Sequence, residues 1–219
     1  MSTQPAPPAI SRSLFIFALL YGGLVCIAGV LGTKLASLGT WPLLGPLAVE
    51  SGIFAFLVLV VLSSATAELH GRETATKLVH YGFIPLIVSM VLIQIVIHIP
   101  PAVFWQKQPA FVEILGQSSR MMLAGLIAYG VSQTLNVYIF SRLATKEGGG
   151  LWFRALIAGL LSQIVDTLLF ITIAFYGVED SILPILKGQI IAKLTLSVVM
   201  VPPLIYAFVA LGRRLDSAK

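Results

Sequence analysis

Six apolar stretches, each near the roughly 20 residues a helix needs to cross a bilayer and separated by short polar turns, constrain this chain more than any other feature. Hydrocarbon offers no water to an exposed backbone N–H or C=O, so such a stretch must satisfy its own hydrogen bonds, as a helix does. The chain has 219 residues, 58% of them hydrophobic and 11% charged, with a mean hydropathy of +0.97. A soluble domain carries about 25% charged residues. The fold class that follows is an all-α integral membrane protein with six transmembrane helices.

Residues 1–12 are Pro-rich and polar and are expected to be disordered. Residues 13–212 form the six-helix transmembrane domain, and residues 213–219 a cytoplasmic tail. The first run, Leu14 to Thr33, follows Arg12 and mimics a signal peptide, but no small-x-small cleavage site closes it and further runs follow. Trp41-Pro42-Leu43-Leu44-Gly45-Pro46 opposes a continuous helix and reads as a loop or a partly re-entrant entry at the outer face. The second run covers Ser51 to Ala67 and the third Leu78 to Ile99, with a surface helix expected around Phe104 to Leu115. Arg120 to Phe140 and Leu151 to Tyr176 flank the turn Lys146-Glu147-Gly148-Gly149-Gly150 as a helical hairpin. The sixth run, Gly188 to Leu211, contains Pro202-Pro203, which predicts a kink.

Two of these runs carry polar ladders. Ser132-Gln133-x-x-Asn136 in the fourth and Ser162-Gln163-x-x-Asp166 in the fifth put an amide and a second polar group at i and i+3, on one face of each helix. An ionisable residue in hydrocarbon costs about 2.5–3.5 kcal/mol on insertion scales, so Asp166 should face the protein interior or a watery cavity and is a functional candidate. Gln133, Asn136 and Gln163 serve equally well as interhelical glue, each such bond contributing about 0.6–2 kcal/mol. Lys193, at a depth comparable to Asp166, either pairs with it or extends to the outer surface.

Lys and Arg collect at alternate ends of the runs. Arg12, Arg72, Lys77, Arg142, Lys146, Arg154, Arg213, Arg214 and Lys219 lie on one side, nine against Lys34, Lys107, Arg120 and Lys187 on the other, which puts both termini in the cytoplasm. The net charge of +5 therefore reads as a topology signal and not as a nucleic-acid surface. With that topology Lys34, Glu50, Gln94, Arg120, Gln189 and Lys193 fall in the outer half and Gln133, Asn136, Gln163 and Asp166 near the middle. A cavity reached from outside would hydrate them, with Tyr129 and Phe170 adding aromatic faces, and would suit a small, flat, hydrogen-bonding solute. Glu68 and Arg72 are spaced i, i+4 and are expected to pair at the inner edge in a structural or gating role.

Catalytic signatures are missing: there is no Gly-x-Ser-x-Gly, no His-Glu-x-x-His and no Walker A loop. No enzymatic activity and no cofactor are expected. His70, His80 and His98 lack metal spacing, and the single Cys26 reads as helix filler.

Glu68-x-x-Gly71-Arg72, Arg120 opening the fourth run, the Gln133 and Asn136 ladder, Ser162-Gln163-x-x-Asp166-Thr167-x-x-Phe170 and Lys193 together resemble the VUT family of membrane proteins, the queuosine precursor transporters. The resemblance covers about Leu14 to Leu211, with departures at Gly29, Ser64 and Leu57, where many relatives have Asn, an acidic residue and Pro. It implies a multi-pass protein of the bacterial inner membrane whose bundle is similar to the substrate-binding subunits of ECF importers. It also implies import of a 7-deazaguanine precursor of the tRNA base queuosine, such as 7-cyano-7-deazaguanine. The implied partners are the lipid bilayer and a small purine-like substrate, without nucleic acid; self-association stays open. A guanine-type edge offers adjacent N–H donors and a carbonyl, which a carboxylate and a carboxamide such as Asp166 with Gln133 or Gln163 can read together. Two other readings fit the same residues: a substrate-capture subunit that needs an energising complex, and a non-transporting membrane scaffold.

Overall fold

The computed structural model describes residues 10–144 and 151–217, with side chains at 133, 134, 136, 137, 140–144, 151–160, 197, 198 and 202 outside the description. The expected disordered segment lies outside the described residues up to position 9; Ser11 already acts as a helix cap. Its Oγ accepts from the Leu14 N–H and starts α1, Arg12–Gly32.

Two strands follow where a loop or re-entrant segment was expected. β1, Leu35–Trp41, and β2, Gly45–Glu50, pair antiparallel from Leu35 opposite Glu50 to Trp41 opposite Gly45. Pro42 and the prolines and glycines around it do exclude a helix, as the sequence suggests. They do so by forming a tight turn, in which the Leu44 N–H donates to the Trp41 carbonyl and Gly45 adopts φ 76°. The strands satisfy each other's backbone, so the segment needs no helical hydrogen bonds of its own.

α2, Ile53–His70, and α3, Arg72–His98, are separated by Gly71 alone, at φ 84°. A positive φ at that point suits glycine and turns the chain sharply. α4 runs unbroken from Gln108 to Ala144, 37 residues. The separate surface helix expected over Phe104 to Leu115 is therefore corrected: its C-terminal part is the start of α4. Continuity is possible because the polar run that suggested a break finds partners on the neighbouring helix. Gln117 Nε2 donates to the Ala174 carbonyl at 2.8 Å and Arg120 reaches two further carbonyls there.

α5, Leu151–Phe175, returns antiparallel to α4, so that Gln117 meets Ala174 and Ser132 meets Asp166. The last apolar run is divided into α6, Leu183–Val199, and α7, Val201–Ser217, meeting at Met200. Pro202 and Pro203 lack the N–H groups that would bond back into α6, and they sit in the first turn of α7, where that loss costs little.

Two buried clusters hold the helices. Phe17, Tyr21, Leu59, Leu62, Ala65 and Val209 join α1, α2 and α7; Met121, Ala124, Ile171, Ala174, Phe175 and Ile185 join α4, α5 and α6. Among the described residues α1, α2 and α3 are long and apolar enough to cross a membrane, and Leu161–Phe175 is a shorter apolar helical stretch. Large apolar side chains such as Phe15, Leu19, Ile84, Val88 and Leu92 point outward. A water-facing protein rarely displays such a surface; lipid is its natural solvent.

Candidate functional site

Where α1 to α6 converge, small residues keep the backbones close and leave a cavity of about 290 Å³. Gly29 and Gly32 of α1 and Gly52 before α2 line it, together with Phe56, Phe83, Tyr129, Phe170 and a set of polar groups. Its size approaches the 300–1,000 Å³ typical of small-molecule pockets. Phe83 and Tyr129 meet edge-on with centroids 5.1 Å apart, which sets the aromatic wall.

The polar groups form two clusters. In the first, Lys193 Nζ of α6 lies 2.8 Å from Asp166 Oδ2 of α5 and donates to Thr167 Oγ1 at 3.2 Å. Ser132 Oγ of α4 donates to Asp166 Oδ1 at 3.2 Å, and the ammonium sits 5.3 Å from the Phe56 ring centroid. Both charged side chains are about one-sixth exposed, at 15% and 16%. A pair this far from water is stable only when its remaining donors and acceptors are met, and Ser132, Thr167 and the Phe56 face meet several of them.

In the second, Gln189 Nε2 donates to Glu50 Oε1 at 3.0 Å, and the Gly52 N–H also donates to Glu50. Glu50 is 5% exposed and Gln189 1%, and both line the cavity. Two glycines make the room: a Cβ at Gly32 or Gly52 would stand 2.9 Å or 2.6 Å from Glu50 Oε2.

The sequence-predicted residues divide accordingly. Asp166, Lys193, Gln163, Tyr129 and Phe170 all line the cavity. The side chains of Gln133 and Asn136 lie outside the described residues, although α4 carries both positions and places Ser132 on the lining. Arg120 is corrected: its Nε and Nη2 donate to the carbonyls of Ile173 and Tyr176, each at 2.6 Å, so it caps the C-terminal end of α5 and is not a lining residue. A guanidinium at a helix C-terminus meets unpaired carbonyls and the negative end of the helix dipole.

The Glu68–Arg72 pair is also corrected. The i, i+4 spacing works only on one continuous helix, and Gly71 breaks the helix between them. The ion pair in this region is Glu73 with Lys77, at 2.7 Å within α3. The sequence places Glu50 and Gln189 among the polar groups a cavity would hydrate but singles out neither as a site residue. One signal was available: Gln189 precedes Lys193 by four positions and shares its helix face.

Residues 50–207 match the family described as "Putative vitamin uptake transporter". The chain is similar to the "Probable queuosine precursor transporter" of Bacillus subtilis (strain 168), 33% identical over 147 residues, 65% of this chain and 63% of that protein. It is also similar to the "Queuosine precursor transporter" of Escherichia coli (strain K12), 25% identical over 130 residues, 59% of this chain and 57% of that one. The matched stretches thus span less than two thirds of either relative. No solved structure matches.

Proposed function

The chain belongs to the vitamin uptake transporter (VUT) family, and from that premise we propose that it imports a 7-deazaguanine-type queuosine precursor across the bacterial inner membrane. On this reading residues 13–212 are one transmembrane domain of six spans, with α6 and α7 forming a single broken span and both termini in the cytoplasm, in a bundle like that of an ECF substrate-binding subunit. The observation that carries the reading is the aromatic-walled cavity holding the half-buried Asp166–Lys193 pair. The names of the two relatives supply the substrate class.

Recognition works through stacking and a few directed bonds. Phe83, Tyr129 and Phe170 offer faces and edges to a flat heterocycle. Lys193, held by Asp166, and the amide of Gln163 direct N–H donors at a ring carbonyl. Asp166 has about four lone-pair sites, of which Ser132 and Lys193 take two, leaving capacity for a ligand donor. Loss of a charge-assisted bond costs about 1.5–3 kcal/mol, so Asp166→Ala weakens uptake by about one to two orders of magnitude. Gln163→Ala and Gln133→Ala are milder, a neutral bond being worth nearer about 1 kcal/mol.

The test is a bacterial host that neither makes nor imports the precursor and lacks any energising complex, supplied with precursor and scored for queuosine in its tRNA. Queuosine should return with the wild-type chain and fall sharply with Asp166→Ala. Unmodified tRNA with every deazaguanine supplied, while the protein is present in the membrane, rejects unaided import of these substrates; normal import by Asp166→Ala rejects the site.

A further inference from the structure

On the deazaguanine reading above, on which this rests, the cavity must also answer the donor edge of the base, where a ring N–H and an exocyclic amino group lie side by side. We propose that Glu50 and Gln189 are that answer: a second recognition pole that accepts N–H bonds from the amino edge of the carried base.

Three features of the pole point to a ligand. Gln189 Oε1 is buried and has no hydrogen-bond partner among the described residues, although its Nε2 is engaged by Glu50. Leaving an amide oxygen unmet inside a protein is costly, and an unmet acceptor on a residue that lines a cavity marks a place for a donor from the ligand. Glu50 stands beside it as a second acceptor, and its partners, Gln189 Nε2 and the Gly52 N–H, are both neutral. Its carboxylate retains further lone pairs. Lys193 spends its direct contacts on Asp166 and Thr167. The two carboxylates of the cavity are therefore unequal: Asp166 is committed to an ammonium, and among the described residues Glu50 is hydrogen-bonded by neutral groups.

The pole is also held in register. Glu50 ends β2, opposite Leu35 of β1, and Gly32 and Gly52 leave space only for its carboxylate. Gln189 is fixed on α6, whose Gly188 packs directly on the Ala48 carbonyl of β2. Acceptors held on rigid elements suit a planar edge that carries donors.

The experiment compares binding of 7-cyano-7-deazaguanine with its counterpart lacking the exocyclic amino group, using purified full-length protein in lipid nanodiscs. Wild type should prefer the amino compound by about fivefold or more, the range expected of a single hydrogen bond. Glu50→Gln should bring the two compounds to near-equal binding, and Gln189→Leu should shrink the preference. Asp166→Asn should weaken both compounds while keeping their ratio. Equal binding by wild type, a wild-type ratio in Glu50→Gln, or loss of the ratio in Asp166→Asn each overturns the assignment. If Glu50→Gln does not fold, Gln189→Leu decides alone, and a wild-type ratio there overturns it. Wild type binding neither compound rejects the substrate reading itself, whereas equal binding of both rejects only the pole.

Discussion

Asp166 and Lys193 touch because neither has a cheaper alternative. Removing one partner strands the other charge away from water, a larger loss than removing both. In a double-mutant cycle on the melting temperature of the purified protein, Asp166→Asn with Lys193→Met should therefore lose less than the sum of the single changes. Strict additivity would mean that the 2.8 Å contact contributes nothing. This pair was legible in the sequence, since one charge of each sign stood in apolar runs at similar depth. Arg120 was not, because a cation opening a helix fits a ligand site and a helix cap equally, and only the position of the Ile173 and Tyr176 carbonyls decides.

A second residue-scale prediction lies beyond the apolar runs, at Asp216. Ser13 Oγ donates to Asp216 Oδ2 at 2.6 Å and the Ser13 N–H donates to Oδ1 at 2.9 Å, which hold this carboxyl below the usual range, with His70 adding to the effect. With its one proton given to Asp216, the Ser13 hydroxyl accepts from His70 Nε2 at 2.7 Å. A carboxyl lowered by folding adds stability above its unfolded value, about pH 4, and loses it as pH falls through the lower folded value. Melting temperature should drop more steeply below about pH 4 for wild type than for Ser13→Ala. Parallel acid limbs would show that the bonds to Ser13 do not stabilise the fold.

At the scale of elements, the hairpin was the part least legible in the sequence. Neither Leu35–Trp41 nor Gly45–Glu50 shows strand alternation, and what fixes them is pairing with each other and packing on α6, which local sequence does not report. Gly188 tests that packing. A Cβ there would meet the carbonyl carbon and oxygen of Ala48, backbone atoms that cannot rotate away. Overpacking of this kind costs about 1–3 kcal/mol, so Gly188→Ala should melt several degrees lower. It should also weaken ligand binding, since the hairpin carries Glu50. Gly23→Ala is the control: nothing lies within 4 Å of its Cβ position, and alanine favours a helix interior. Equal melting of the two variants would show that the hairpin and α6 do not pack as closely as described.

For the whole molecule, the apolar character was plain from the sequence, but the orientation rests on charge alone. Nine Lys and Arg residues against four select the side that stays in the cytoplasm, because basic loops are retained there during insertion. Asp180, exposed between α5 and α6, and Ser217, exposed at the end of α7, should then lie on opposite faces of the membrane. A Cys26→Ser background removes the native thiol gently, since Cys26 Sγ only accepts from Ser89 Oγ at 3.2 Å and a hydroxyl can take its place. In intact cells with a permeable outer barrier, an impermeant thiol reagent should label Asp180→Cys and spare Ser217→Cys, and disrupting the inner membrane should expose both. Labelling of position 217 alone would reverse the orientation. Labelling of both before disruption would place the two positions on one face and would remove the odd number of crossings that α6 and α7, taken as one broken span, make between them.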